Sequence, residues 1–588
     1  MYGWHGKLLR VDLTNQKTSV EEIDPQVSKD FIGGRGVAIR YLYDEVDPCV
    51  DPLAPENHLI FATGPLTATT APTGNRYMVV TKSPLTGALA HSNAGGHFPT
   101  WMKRTGFDIF IFEGKAVEPV YVWVNEDEVE IRSAAHLWGQ DVPATTDALL
   151  AATDRNAKAA CIGPAGENLV LMAAIMNDKD RAAGRSGVGA VMGSKNLKGV
   201  VVNGRKNPKF ANDQAMRELS KTIAKEVGAD MLAGSSLREY GTAYVPQVTN
   251  EFGILPTNNW QAGTFEGVDT IDGPTLTEKY LIKPKPCYRC PIACGRLSEV
   301  PEGKYAGKGE GPEYETISAF GSGCGVDDLA AVTKANYWCN ELGMDTISTG
   351  MTIAAAMEMY EKGYIPESDI GQPLRFGDAD TMIEMVQKMA YREGFGNELA
   401  EGSYRLADKY GHPEVAVTTR KQEFPGYDPR GAQGMGLLYA TSNKGASHME
   451  GDVVYEELFG VPVKEDLMAT KGKGELVARF QDAFALIDTY CLCVFLALRY
   501  VISEERMILP TRLSQLMKFT TGVDSTPEDI LTAAERVYNL ERMFLLKAGS
   551  TEDTLPPRML NEPLPDGPAK GHVNRLSEML PEFYKVRG

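Results

Sequence analysis

Short runs of β-branched and aromatic residues alternate with Gly, Pro and Thr turns in the first part of the chain. Runs of this kind bounded by turn residues are typical of β-strands. The pattern predicts strands at residues 7–13, 58–62, 77–81, 107–112, 120–131 and 200–202. A polar stretch at 204–213 follows the last run. We therefore predict a β-rich region that ends near residue 208.

Helical spacing dominates from Asp213 onward. Apolar residues recur every three or four positions in segments 327–342, 352–362 and 382–392, which places them on one face of a helix. A further helix is predicted from an N-cap at Thr526 and a proline at the next position, running towards Gly549.

The order of these elements predicts an α+β protein. A β-rich domain at 1–208 is followed by two mainly helical domains at 209–414 and 415–588. The second boundary rests on a turn cluster at 411–413 and a strand-like run at 415–419.

Composition narrows the function classes. The 588 residues are 43% hydrophobic and carry a formal net charge of -18, which argues against nucleic-acid or anionic-membrane partners, because both require clustered Lys and Arg. The first residues lack the pattern of a secretory leader, and no run approaches the ~18 apolar residues of a membrane span. We expect a soluble cytoplasmic protein that binds neither nucleic acid nor membrane.

Three of the nine cysteines crowd into one short segment: Cys287, Cys290 and Cys294. The C-x2-C-x3-C spacing can direct three thiolates to one centre, so a fourth ligand must come from elsewhere. Thiolates suit an iron-sulfur cluster or zinc, and spacing does not decide between them or exclude buried thiols without metal. Candidate fourth ligands are Cys324, Cys339, Cys491 and Cys493. Cys49 and Cys161 are predicted to be inert core residues.

Two glycine-rich loops, SNAGG at 92–96 and RAAGRSGVGA at 181–190, carry small side chains. Such loops expose backbone amides to phosphate, and Arg181 and Arg185 can pair with phosphate oxygens. Neither loop matches the P-loop or the dinucleotide-binding fingerprint. The alternative is that the glycines only form tight turns.

Several long segments are spread over the chain: GPLTATTAPTGNRYMVVTKSPLTG from residue 64, CIGPAGEN from 161, RAAGRSGVGAVMGSK from 181, CYRCPIACGR from 287, GPEYET from 311 and YDPRGAQGMG from 427. Together they resemble the tungsten aldehyde:ferredoxin oxidoreductase family over essentially the whole chain. The resemblance implies that the β-rich domain binds pterin.

The resemblance also implies the cofactors: tungsten (or molybdenum) held by two pterins without a side-chain ligand, a [4Fe-4S] cluster, and magnesium between the pterin phosphates. The implied cluster ligands are Cys287, Cys290, Cys294 and Cys493. The implied magnesium ligands are the backbone carbonyls of Asn93 and Ala182. The implied pterin-binding residues are Arg76, Asn93, Ala94, Gly95, Arg181, Ala182, Gly184, Arg185, Asn340, Asp345, Asp488 and Leu492.

Two family motifs of the form D-x-x-G-L-[CD] are altered here. Asn340 replaces the first aspartate of one, which weakens a hydrogen bond to pterin because Asn offers one neutral acceptor oxygen. Cys491 replaces the glycine of the other. Lys334 and Ile383 occupy positions where some relatives bind an interfacial metal through Glu and His, so that metal is not expected.

The resemblance implies oxidation of a small aldehyde to a carboxylic acid, with water as the oxygen source. Glu315 and His448 match the family's active-site pair, a proton-accepting carboxylate and an imidazole that donates to the aldehyde oxygen. Glu313 lies two residues away; if the segment is extended, only one of the two glutamates lines the pocket. Arg76 and Cys493 are expected between pterin and cluster.

Electrons are expected to leave through the cluster to ferredoxin or to an iron-sulfur/flavin subunit, and the sequence leaves homo- and hetero-oligomers open. One alternative is a benzoyl-CoA reductase-type subunit with the same cofactor. Another is a non-catalytic iron-sulfur electron carrier, which would bind a cluster without tungsten or pterin. The GPEYET segment and the His448 segment favour the aldehyde enzymes.

Overall fold

The N-terminal part of the molecule contains two six-stranded sheets. The computed structural model describes residues 2–229, 235–460, 465–496 and 508–588. The strands of the two sheets are β1 (Lys7–Asp12), β2 (Lys17–Glu22), β3 (Leu59–Ala62), β4 (Tyr77–Lys82), β5 (Leu89–Ala94), β6 (Ile109–Glu113), β7 (Val120–Asn125), β8 (Glu128–Ser133), β9 (Lys158–Cys161), β10 (Ile175–Asn177), β11 (Arg181–Ala183) and β12 (Leu197–Asn203). The predicted β-rich N-terminal region is confirmed.

The two sheets have strand orders β2-β1-β6-β3-β4-β5 and β11-β10-β9-β12-β7-β8. One apolar core holds side chains from both sheets, including Phe110, Phe112, Val122 and Val200, so the sheets pack against each other. The edge strands β5 and β11 contact each other. This contact brings the two predicted glycine-rich loops together.

Helices dominate the rest of the chain. The predicted α+β class is confirmed, and the helix predicted after Thr526 has a capping box with Asp529. None of the described helices is both long and apolar enough to cross a membrane. The described α-helices are Pro25–Phe31, Gly34–Glu45, Phe98–Arg104, Val142–Ala152, Pro164–Glu167, Val188–Ser194, Asp213–Gly228, Leu237–Tyr240, Val245–Glu251, Gly273–Lys279, Tyr314–Phe320, Leu329–Leu342, Thr346–Glu361, Glu367–Ile370, Ala379–Tyr391, Gly396–Leu399, Ser403–Lys409, Gln433–Thr441, Val454–Leu458, Lys473–Thr489, Ile508–Thr521, Pro527–Lys547, Pro557–Asn561 and Leu576–Arg587.

Three local predictions differ from the structure. The run 120–131 is a hairpin rather than one strand, because the chain turns at Glu126, whose φ is 56°. The helix predicted at 352–362 begins earlier, because the Asp345 carboxylate caps it. The strand predicted at 415–419 is reduced to β16 (Thr418–Thr419), which pairs with β17 (Gln422–Glu423), because Pro413 starts a 3-10 turn.

A small sheet inside the helical part escaped the sequence analysis. It contains β13 (Leu281–Lys285), β14 (Gly295–Val300) and β15 (Gly307–Glu310). The cysteine segment forms the connection between β13 and β14, so an antiparallel pair of strands holds both of its ends.

Candidate active site

Four cysteines line one cavity of about 190 Å³: Cys287, Cys290, Cys294 and Cys493. Left-handed backbone at Arg289 and Ala293, with φ of 54° and 57°, turns the segment between β13 and β14. The N–H of Cys493 donates to the carbonyl of Thr73 at 3.1 Å, which anchors the fourth cysteine to the N-terminal domain. The structure therefore brings together the cysteines that the family resemblance selects.

The four sulfurs are widely spaced. Within the described residues, no three of these sulfurs lie within 4.8 Å of one another. A tetrahedral zinc site places sulfurs about 3.8 Å apart, because the Zn–S bond is about 2.3 Å. The quartet is therefore wider than a closed tetrahedral zinc site.

The protonation of these thiols also fits a metal group. Burial raises the pKa of Cys290 to about 11 and the pKa of Cys294 well above that of an ordinary thiol. Thiolates at such positions need compensating positive charge, which metal ions supply.

The remaining cysteines lie outside this cavity. Cys324, Cys339 and Cys491 are buried elsewhere, and Cys161 is buried in β9 as predicted. The prediction for Cys49 was wrong. Cys49 is exposed, because it sits in a surface turn where its N–H donates to the Asp47 carboxylate at 2.9 Å.

Two neighbouring cavities of about 240 and 350 Å³ lie where β5 and β11 meet. They adjoin each other, since both are lined by Arg76, Ala182, Gly184, Glu313, Glu315 and Ile347. Other predicted cofactor residues line one or the other: Asn93, Gly95, Arg181, Arg185, Asn340 and Asp345. Ala94, Asp488 and Leu492 are buried and are not among the residues that line these two cavities.

The two family motifs each support one of the glycine-rich loops. Asp488 accepts a hydrogen bond from the Asn93 amide at 2.8 Å. Asp345 accepts one from Arg185 at 3.2 Å. Asn340 donates to the backbone carbonyl of Glu310 at 3.1 Å. The two aspartates therefore fix side chains that face the cavities.

Each motif also contains one residue with left-handed backbone. The φ angles are 77° at Gly343 and 57° at Cys491. Glycine adopts this conformation without a steric cost, whereas other residues pay of order 1–3 kcal/mol. The backbone thus explains the glycine of the family motif, and Cys491 occupies a strained position.

A buried network of charges lies behind Asn93. Arg35 pairs with Glu541 at 2.6 Å, Glu450 at 3.2 Å and Asp488 at 3.3 Å, and His91 lies 2.9 Å from Glu450. All five side chains are at most 5% exposed. Sequence reasoning missed this network because its members are far apart in the chain and share no spacing. It positions Asp488 and, through Asp488, Asn93.

Glu315 and His448 face each other in the larger cavity. One Glu315 oxygen accepts the N–H of Gly426 at 2.9 Å, and the other lies 3.6 Å from Nδ1 of His448. Burial raises the pKa of Glu315 to about 7. Burial, together with the charges of Arg185 and Lys444, lowers the pKa of His448 to about 3. Near neutral pH the carboxyl group can exchange a proton, while the imidazole stays neutral.

The condition under which only one of Glu313 and Glu315 would line the pocket, an extended segment, is not met. The segment is not extended, because helix Tyr314–Phe320 begins directly after Glu313, and both glutamates line both cavities. Glu313 accepts a hydrogen bond from Thr242 at 2.5 Å. Glu313 and Arg76 also line the cysteine cavity. Together with Arg181 and Phe495, they form the boundary between the cysteines and the larger cavities.

The cysteine cavity shares four lining residues, Arg76, Arg181, Glu313 and Phe495, with the larger cavities, in which Glu315 faces His448. This arrangement suits an electron-transferring enzyme. Comparison with protein-family models agrees. The model described as "Aldehyde ferredoxin oxidoreductase, N-terminal domain" matches residues 8–204, and "Aldehyde ferredoxin oxidoreductase, domains 2 & 3" matches residues 218–588. The chain belongs to the aldehyde ferredoxin oxidoreductase family, a family of tungsten-pterin oxidoreductases. The predicted family and enzyme class are confirmed.

Individual relatives support this assignment over the full length. The chain is 47% identical to the "Tungsten-containing aldehyde ferredoxin oxidoreductase" of Pyrococcus furiosus and to that of Thermococcus kodakarensis, covering 100% of this chain and 96% of each relative. A solved structure, "Active site complex BamBC of Benzoyl Coenzyme A reductase in complex with 1,5 Dienoyl-CoA", matches with a TM-score of 0.85 at 25% identity, covering 100% of this chain and 95% of that one. The domain boundaries at 208 and 414 stay predictions.

Proposed function

We propose that this protein oxidises aldehydes to carboxylic acids at a bis-pterin tungsten centre. The reaction consumes one aldehyde and one water and yields one carboxylic acid, two protons and two electrons. The observation that carries the proposal is the facing pair of Glu315 and His448 in a cavity that also contains both glycine-rich loops. Relatives that are 47% identical are named as aldehyde enzymes, whereas the benzoyl-CoA reductase complex is 25% identical.

The residues around the two larger cavities fit the proposed cofactor. Arg76, Arg181 and Arg185 offer guanidinium groups to pterin phosphates. When bound, the tungsten bis-pterin supplies two-electron redox chemistry; molybdenum would serve the same role. The other residues proposed to hold the pterins are Asn93, Ala94, Gly95, Ala182, Gly184, Asn340, Asp345, Asp488 and Leu492. The backbone carbonyls of Asn93 and Ala182 are also proposed to bind magnesium.

The acid–base pair handles the protons. The ionised form of Glu315 accepts a proton from water, which increases the nucleophilicity of the oxygen towards the aldehyde carbon. The neutral imidazole of His448 donates a hydrogen bond to the aldehyde oxygen as negative charge develops there. The Gly426 N–H fixes the carboxylate so that its free oxygen faces the imidazole.

The cysteine cavity is the proposed electron exit, with a [4Fe-4S] cluster on Cys287, Cys290, Cys294 and Cys493. A cluster held there would pass electrons on singly, and the charge of Arg76, which lines the same cavity, would raise its potential. On the outer side, Cys290 also borders a surface groove that is lined by Arg217, Lys221 and Arg289. Basic residues are a minority in this acidic chain, so the groove suits an acidic partner such as ferredoxin or an iron-sulfur/flavin subunit.

The proposal is tested with anaerobically purified protein. Metal and pterin analysis is combined with an assay of aldehyde-dependent viologen reduction. We expect tungsten or molybdenum, two pterins and four irons per chain, together with carboxylic acid as product. A preparation with full metal content that reduces no viologen with acetaldehyde or benzaldehyde contradicts the proposal. A cluster without tungsten, molybdenum or pterin indicates an electron carrier instead.

A further inference from the structure

The larger cavity extends beyond Glu315 and His448 into an aromatic end. Its wall there is formed by Tyr244, Tyr427, Tyr455 and Phe495, with Leu237, Val245, Met449 and Val494. Planar rings pack well against aromatic walls. The apolar walls of this end suit the body of an aryl aldehyde.

One acidic side chain interrupts this apolar end. Asp452 lines the cavity and is 3% exposed. Its N–H donates to the carbonyl of His448 at 2.8 Å, which fixes it one turn from the active-site imidazole. Its Oδ1 atom is buried and has no hydrogen-bond partner, and within the described residues no Lys, Arg or His pairs with it. A buried polar atom without a partner costs free energy unless a ligand satisfies it.

The surroundings of Asp452 favour its protonated form. Burial, and then the charge of Glu315, raises its pKa well above that of an ordinary aspartate. A protonated carboxyl group can donate a hydrogen bond as well as accept one. Burial and Asp452 also raise the pKa of Tyr427 and Tyr455, so these phenols stay neutral. Asp452, Tyr427 and Tyr455 thus form a polar patch at the apolar end of the cavity.

We propose that Asp452, together with the hydroxyl groups of Tyr427 and Tyr455, forms a substrate subsite that binds a hydroxyl group on the ring of an uncharged aryl aldehyde. The inference rests on the proposed aldehyde oxidation. The aldehyde group lies at Glu315 and His448, and the ring hydroxyl lies at Asp452. Aldehydes with an anionic substituent are excluded, because Asp452 is acidic and the described residues that form this end of the cavity include no Lys or Arg.

Such a subsite distinguishes hydroxylated aryl aldehydes from unsubstituted ones, because the latter leave its polar groups unpaired. A site built to hydrogen-bond a hydroxyl group rejects the analogue that lacks it, because its own polar atoms then stay buried without partners. The benefit is expected in substrate binding, and hence in KM, because the ring hydroxyl does not change during the reaction.

The test compares 3- and 4-hydroxybenzaldehyde with benzaldehyde in the holoenzyme and in Asp452→Leu and Asp452→Asn. The quantity compared is the ratio of kcat/KM for the better hydroxy substrate to kcat/KM for benzaldehyde. We expect this ratio to be at least about tenfold lower in Asp452→Leu than in the wild type. The change should appear mainly in KM. Asp452→Asn, which keeps a donor, should retain part of the preference. Comparing ratios between variants cancels the electronic effect of the ring hydroxyl.

Inhibition gives a readout that needs no turnover of the analogue. In the wild type, hydroxybenzyl alcohol should inhibit more strongly than benzyl alcohol. In Asp452→Leu, the two alcohols should inhibit equally. Tyr427→Phe should weaken the same preference. The matched control is Tyr439→Phe, whose hydroxyl donates to the backbone carbonyls of Pro425 and Tyr427 at 3.5 Å and which is not among the residues lining the cavity.

Two outcomes overturn the inference. The first is an unchanged hydroxy-to-unsubstituted ratio in Asp452→Leu with intact tungsten and iron content. If that variant does not fold, unchanged ratios in both Asp452→Asn and Tyr427→Phe overturn it equally. The proposed function fails in a different way, since metal-replete wild-type enzyme would then oxidise none of the three aldehydes.

Discussion

At the scale of single residues, Glu315 shows how its surroundings adjust an acid to its task. Burial raises its pKa, while the Gly426 N–H and the Arg185 charge lower it, and the outcome is about 7. An ordinary glutamate is fully ionised at neutral pH and is a weak base. A carboxylate with a pKa near the working pH is a stronger base and remains available in its ionised form.

The pH dependence of turnover follows from this value. The base is active only when ionised, so kcat/KM should rise with pH through an apparent pKa near 7 and reach a plateau above it. Glu315→Gln should keep tungsten and iron, lower kcat at least about 100-fold, and remove the rising limb. Steady-state kinetics between pH 5.5 and about 8.5 measure both effects. Wild-type activity in a metal-replete Glu315→Gln preparation would refute the role.

At the scale of elements, the loop after β5 closely approaches the cysteine segment. A Cβ added at Gly95 would lie 2.8 Å from the Sγ of Cys287 and 3.3 Å from Nη1 of Arg76. Both neighbours belong to the proposed cluster and pterin sites. The glycine therefore allows one loop to border two cofactor sites.

Gly95→Ala should displace the Cys287 sulfur and impair cluster binding. We expect less iron per chain and a weaker visible absorption of the cluster in the anaerobically purified variant. Gly228→Ala is the matched control, because an added Cβ there has no neighbour within 4 Å. An equal iron content in both variants would show that the loop tolerates the methyl group.

The sequence predicts elements whose determinants are local. The strands around Phe110 and the capped helix after Thr526 follow from residue spacing and cap chemistry, and the cysteine segment is recognised from three close positions. The partners of Asp488 and the buried environment of Asp452 arise only when distant segments meet. Arg35 lies 506 residues from Glu541, and no local pattern connects them.

At the scale of the whole molecule, the network around Arg35 joins the N-terminal domain to the C-terminal helices. Arg35 follows the start of helix Gly34–Glu45, while Glu541 belongs to helix Pro527–Lys547. Removing one member of a buried ion network leaves the other charges unpaired. That costs more than the network itself contributes to stability.

Arg35→Met should therefore destabilise the enzyme by about 3–5 kcal/mol, because Glu541 and Glu450 lose their cationic partner. Thermal unfolding of the holoenzyme should show a clearly lower transition temperature. Arg40→Met on the same helix is the control. Its pair with Asp44 is about two-fifths exposed, and such pairs contribute about 0–1 kcal/mol. Equal transition temperatures for both variants would contradict the prediction.

The basic groove beside Cys290 predicts how an electron acceptor binds. Lys221→Glu should raise KM for ferredoxin severalfold at low salt, and the difference should shrink as salt is added. Lys17→Glu makes the same charge change on β2, at the sheet edge opposite β5, and should leave KM unchanged. Turnover with an artificial dye should be similar in both variants. Equal ferredoxin KM values in the two variants would place the docking site elsewhere.

The position of Cys493 has a mechanical consequence. Val494 and Phe495, the next two residues, form part of the wall of the larger cavity, where the substrate is proposed to bind. A cluster bound to Cys493 would cross-link this wall to the segment between β13 and β14. Oxygen damage to the cluster would then free this wall as well as stop electron transfer. An air-inactivated enzyme would therefore bind its substrate less tightly and would also be unable to pass on electrons.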